Sequence, residues 1–65
     1  MEKLADVNNV NGKVAIYRDN DNSYGVTATI NGKYKSCYGM TEKTACKRYN
    51  KYCNELAQLY INKSF

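Results

Sequence analysis

No histidine, tryptophan or proline occurs among the 65 residues of this chain, and each absence closes off a class of chemistry. Without histidine there is no imidazole base and no member of the commonest class of metal ligand. Cysteine is scarce too, at three residues, Cys37, Cys46 and Cys53, with no C-x-x-C pair, so neither a zinc site nor any other metal centre is expected. Glu42 and Glu55 lie thirteen residues apart and read as surface groups, there is no glycine-rich phosphate loop, and no base is visible to activate a thiol. Catalysis, a cofactor and a small-molecule substrate are therefore not expected. No apolar run is long enough to cross a bilayer and no secretory signal is recognisable, which with an odd cysteine count points to a reduced, cytoplasmic protein. Cys46 and Cys53 are seven apart, two helical turns or about 10 Å, too far for a disulfide. The thiols are expected as small core-filling groups.

What is present fits one small domain close to the size at which a single core barely outweighs chain entropy. Charge is unevenly spread: residues 1–30 carry three cations against four carboxylates, and residues 31–65 carry seven against two. The electropositive C-terminal half is compatible with nucleic acid or with an acidic protein surface.

Two runs alternate with the period of a strand. In residues 13–18, Val14 and Ile16 oppose Lys13, Ala15 and Tyr17; in residues 24–30, Val26, Ala28 and Ile30 oppose Gly25, Thr27 and Thr29. The Asp/Asn run at residues 19–23 between them is a turn signature, because these side chains bond their own backbone. Asn-Gly occurs twice, at Asn11-Gly12 and Asn31-Gly32, each after an apolar residue and before a lysine, and it is the strongest short-range hairpin signal. Residues 7–10 accordingly read either as a fourth, weak edge strand or as a frayed arm with Leu4 and Val7 against the helix.

The loop length of the second hairpin decides which face each side chain takes, since a slip of one residue exchanges the faces. A two-residue Asn31-Gly32 turn pairs Ala28 with Lys35 and Val26 with Cys37, placing Lys33 and Lys35 on the apolar face. A three-residue loop with a bulge at Gly32 pairs Ala28 with Tyr34, Thr29 with Lys33, Thr27 with Lys35 and Tyr24 with Tyr38. The second is preferred here because it keeps the lysines off the core. It gives a core face of Val14, Ile16, Val26, Ala28, Tyr34 and Tyr38, and an open face of Lys13, Tyr17, Thr27, Thr29, Lys33 and Lys35.

After Gly39-Met40, Thr41 reads as an N-cap and Glu42 suits the positive end of the helix dipole, predicting a helix over residues 41–61. At about 100° per residue, Ala45, Tyr49, Tyr52, Cys53, Leu56, Leu59 and Tyr60 form the core stripe, with Cys46 at its margin, and Lys43, Lys47 and Lys51 lie opposite. The expected architecture is α+β: a three-stranded antiparallel meander over residues 13–39, with a possible fourth edge strand within residues 1–12, packed against one C-terminal helix.

The order Tyr24, Val26, Ala28, then Asn31, Gly32, Lys33 and Lys35, then Gly39, then Thr41, Thr44 and Ala45 resembles the arm-type DNA-binding domain of phage and transposon tyrosine integrases. It is also similar to the related ethylene-response-factor domain of plants. The resemblance covers about half the chain. It implies a sheet whose open face enters the major groove of double-stranded DNA, through Lys13, Tyr17, Thr27, Thr29, Lys33 and Lys35. Where that family carries arginine and often tryptophan at the central open positions, this chain has Thr27 and Thr29. The implied function is that of a small DNA-binding accessory protein of a phage or mobile element. Three or four phosphate contacts would give a salt slope of about three. Because the helix would separate Lys43, Lys47, Arg48 and Lys51 from the open face, one duplex is not expected to meet both sets of cations.

The competing expectation belongs to a different class. A short, basic, tyrosine-rich chain resembles the small phage proteins that bind and occlude a host protein, anti-restriction, anti-CRISPR and antitoxin-like proteins among them. In that case Tyr17 and Tyr24 would anchor an interface with an acidic host protein.

Overall fold

The computed structural model describes residues 1–63, with side chains through Leu59. Four strands, β1 (Glu2–Asn9), β2 (Gly12–Arg18), β3 (Tyr24–Ile30) and β4 (Lys33–Met40), precede a 22-residue helix, α1 (Glu42–Lys63). The strands form one antiparallel sheet in chain order. Residues 2–9 are thus a full fourth strand, paired with β2 from Glu2 opposite Arg18 to Asn9 opposite Gly12, which settles the choice between strand and frayed arm. A bulge at Leu4 interrupts that ladder.

The turns follow from local side-chain chemistry. At the β2–β3 turn the Asp19 N–H donates to the Ser23 carbonyl, the Asn22 N–H donates to the Asp19 carbonyl, and Asn22 adopts a φ of 65°. The β3–β4 turn has Asn31 at φ 54° and Gly32 at φ 81°, the pair of positive angles that a two-residue type I′ hairpin demands. The β1–β2 turn uses Val10 and Asn11 instead, one residue earlier than its Asn31-Gly32 echo. The Asn11 carbonyl accepts from the Asn31 N–H at 2.9 Å, tying the two hairpin ends together.

The two-residue turn overturns the expected register. Thr29 pairs with Tyr34, Ala28 with Lys35, Thr27 with Ser36 and Val26 with Cys37. Lys33 and Lys35 therefore belong to the helix-facing side, and Tyr34 and Tyr38, expected in the core, stand on the open face with 66% and 54% exposure. A bulge does exist, but between Cys37 and Met40, where Gly39 supplies the positive φ of 74°. It returns Met40 to the inner side opposite Tyr24, and both pack against the core.

The core comprises Val14, Ile16, Val26 and Ala28 from the central strands and Ala45, Tyr52 and Leu56 from α1, with Tyr49 and Cys53 half-buried at its margin. Tyr60 lies outside the described side chains. The Thr41 hydroxyl caps α1 by accepting from the Thr44 N–H at 3.3 Å. α1 packs chiefly across β2 and β3. A helix about 10 Å across covers two strands spaced about 4.8 Å apart, so the inner sides of β1 and β4 are left largely bare. That is why β4 tolerates lysines there. No thiol is fully buried, contrary to the core-filling expectation: Cys46 is exposed and Cys37 and Cys53 are half-buried, all three free.

Candidate nucleic-acid interface

The hairpin register splits the six residues proposed for the sheet face. Lys13, Tyr17, Thr27 and Thr29 do share the open face, since Lys13 pairs with Thr29 and Tyr17 with Gly25. Lys33 and Lys35 do not join them; they sit on the same side as Ile30 and Ala28, their partners across the ladder.

The open face is consequently poor in charge. Its centre is Tyr17, Thr27, Thr29, Tyr34, Ser36 and Tyr38, with Tyr38 lying over Gly25 so closely that even a Cβ there would collide with its ring. At its β1 border, Lys3 donates to Asp6 at 2.9 Å, and that bond holds the lysine pKa above its ordinary value. Lys13 stands without an ion-pair partner among the described residues. Beyond the border, Arg18 donates to Glu2 at 2.6 Å.

Cations gather instead along the edge between β4 and α1. The Lys35 ammonium lies 5.7 Å from the centroid of the Tyr52 ring, which fixes the β4 side of the helix. Counted at about 100° per residue from Tyr52, Arg48, Glu55 and Lys51 lie on that flank, and Lys47 follows just outside. An open cleft of about 830 Å³ runs along it, lined by Ile30 and Leu59 together with Lys47, Lys51, Asn54 and Gln58. Lys33 is the ladder partner of Ile30, so both β4 lysines border the region that the helix cations occupy. Glu55 is the one carboxylate on the cleft wall. The separation expected between the sheet lysines and the helix lysines is thus corrected: the register brings Lys33 and Lys35 to the helix side.

The Cys53 thiol is a poor nucleophile. Burial pushes the Cys53 pKa up, opposed in part by a hydrogen bond with Tyr49, so the less nucleophilic thiol form is favoured. Burial likewise raises Tyr49. No cluster of three or more potential metal ligands occurs among the described residues, and no helix among them is long and apolar enough to cross a membrane.

Hydrophobic alternation along β4 hides the β4–α1 edge, and only the turn chemistry of the hairpin reveals it. Taken at face value, Asn31-Gly32 gives the observed pairing, and Gly39 then marks the bulge. No protein-family model, curated protein or solved structure matches this chain.

Proposed function

We propose that this is a small, non-catalytic nucleic-acid-binding protein that holds its ligand along the basic edge between β4 and α1. The carrying observation is the placement of Lys33 and Lys35 on the side of the sheet where Lys47, Arg48 and Lys51 also lie. Half of the ten cations in the chain then border one track, with Glu55 the carboxylate among them. Such a track suits phosphate oxygens, whose neutralisation releases counterions and makes binding salt-dependent. The resemblance to integrase arm domains suggests a role beside the DNA of a phage or mobile element, but the contact surface proposed here is the edge and not the sheet face.

Charge reversal separates the two surfaces. Lys33→Glu with Lys35→Glu should abolish retention on immobilised nucleic acid at low salt, and so should Lys47→Glu with Lys51→Glu. Lys13→Glu, on the open face, should leave retention unchanged. Loss on Lys13→Glu with full retention in the other two variants would return the site to the sheet.

A second reading is favoured by the open face itself. Three tyrosines surrounded by Thr27, Thr29 and Ser36 have the composition of protein-binding surfaces, where tyrosine supplies contact area at low entropy cost and charge is sparse at the centre. Occlusion of a host protein through this face predicts that Tyr34→Ala with Tyr38→Ala loses a stoichiometric partner that Lys33→Glu with Lys35→Glu retains.

A further inference from the structure

Among the described side chains of α1, Lys47, Arg48 and Lys51 lie on the flank toward β4 and Lys43 lies opposite Tyr52. Counted from Tyr52, the flank turned toward β1 presents Glu42, Cys46, Tyr49, Cys53 and Ala57, with no lysine or arginine among them. Asn9 of β1 is tied there as well, its amide donating to the Leu56 carbonyl at 3.2 Å.

This asymmetry discriminates between forms of nucleic acid. A helix about 10–12 Å across that enters a major groove about 12 Å wide meets a phosphate wall on each side. α1 has Lys47, Arg48 and Lys51, with Glu55 among them, for one wall, and for the other the carboxylate of Glu42 and no described cation. A single backbone needs only one track. Lys33 and Lys35, two residues apart on a strand, stand about 6.6 Å apart along it, and Lys47 and Lys51, four apart on the helix, about 6 Å.

The cleft beside the track is suited to what an unpaired strand exposes. Ile30 and Leu59 supply apolar surface for base faces, while the Asn54 and Gln58 amides, one turn apart on the exposed side of α1, can each donate to and accept from base edges. In a duplex the Watson–Crick edges are already paired and the faces stacked, which leaves an amide only the groove edges.

We infer that the β4–α1 edge takes an unpaired nucleic-acid strand in preference to a duplex, with Lys33, Lys35, Lys47 and Lys51 on its phosphates and Asn54 and Gln58 on its bases. This rests on the nucleic-acid reading above and narrows it. The described cleft lining contains no aromatic ring on which bases could stack, so the complex is weak and strongly salt-dependent.

The test is fluorescence anisotropy of the full chain with a labelled oligothymidine of about 15 nucleotides and with a duplex of the same length, over a salt series. The single strand should bind at least about 5-fold tighter at low salt, with a log–log salt slope of about −2 to −3 for three to four phosphates. Asn54→Ala with Gln58→Ala should weaken the single strand about 3-fold or more and leave the duplex unchanged. Glu55→Gln, which removes the carboxylate from the cleft wall, should tighten the single strand. Equal or tighter duplex binding, or amide variants that weaken both forms alike, would overturn the preference while leaving the nucleic-acid reading intact. Failure of both probes to bind would overturn that reading and the inference with it.

Discussion

The Lys35 ammonium rests 5.7 Å from the centre of the Tyr52 ring, within the range over which a cation is drawn to an aromatic face. Tyr52 is a buried residue of α1, so the contact places Lys35 on the helix side of the sheet. The turn that puts it there depends on positive φ at both Asn31 and Gly32. Gly32→Ala has free space for the new methyl group, yet it should cost about 1 kcal/mol, because an L-residue is strained in the left-handed region. Asn31→Ala should cost a similar amount. Urea denaturation would check both; a neutral Asn31→Ala would contradict the two-residue turn.

Gly25 and Tyr38 form a second dependent pair. The Tyr38 ring occupies the space that a side chain at position 25 would need, and the Cys37 carbonyl is 3.1 Å from the same point. Gly25→Ala should therefore displace the ring and destabilise the fold by about 1–3 kcal/mol through overpacking. Tyr38→Ala alone should relieve the clash, so the double variant should lose less stability than the two single changes together. A double-mutant cycle by urea denaturation measures the difference.

Leu56 is 1% exposed at the centre of the helix contact. Leu56→Ala should remove about 2–5 kcal/mol, comparable with the entire stability of about 3–5 kcal/mol expected for a core of this size. The variant should be largely unfolded at 25 °C by circular dichroism. Leu56→Met, which nearly conserves volume, should remain folded.

Alkaline pH should weaken the fold. Burial raises the pKa of Cys53 and of Tyr49 above their ordinary values, so the unfolded chain releases these protons first and stability falls as pH rises past the unfolded thiol value of about 8.5. The contribution is complete below that value and is lost through the raised folded values. The melting temperature should be level near neutrality and decline above about pH 9. Cys53→Ala should shallow the decline after correction for its own packing loss. An unchanged decline would assign it elsewhere.

Much of the fold was legible because burial and periodicity agree at the centre of the molecule. Val14, Ile16, Val26 and Ala28 alternate along β2 and β3 and all four lie beneath the helix; Ala45, Tyr52 and Leu56 recur at helical spacing and meet them. On β4 alternation does not report a buried face. Lys33, Lys35 and Cys37 line the inner side and Tyr34, Ser36 and Tyr38 the outer, a pattern with no polarity rule behind it because α1 packs chiefly across β2 and β3 and meets that strand only at its margin. There the backbone angles of Asn31 and Gly32 decide the register, and the side chains follow. The candidate site divides with it: Lys13, Tyr17, Thr27 and Thr29 share the open face, and Lys33 and Lys35 lie on the other.

The strands lie in the sheet in the order in which the chain supplies them. Every ladder therefore closes across a short connection, and no pairing waits on a distant part of the polypeptide. Loop-closure entropy rises with the length enclosed, and folding rates fall as contacts become less local, so the sheet can zip one hairpin after another at little entropic cost. Only the docking of the C-terminal segment spans the molecule. Synthesis delivers α1 after the surface that receives it has been made.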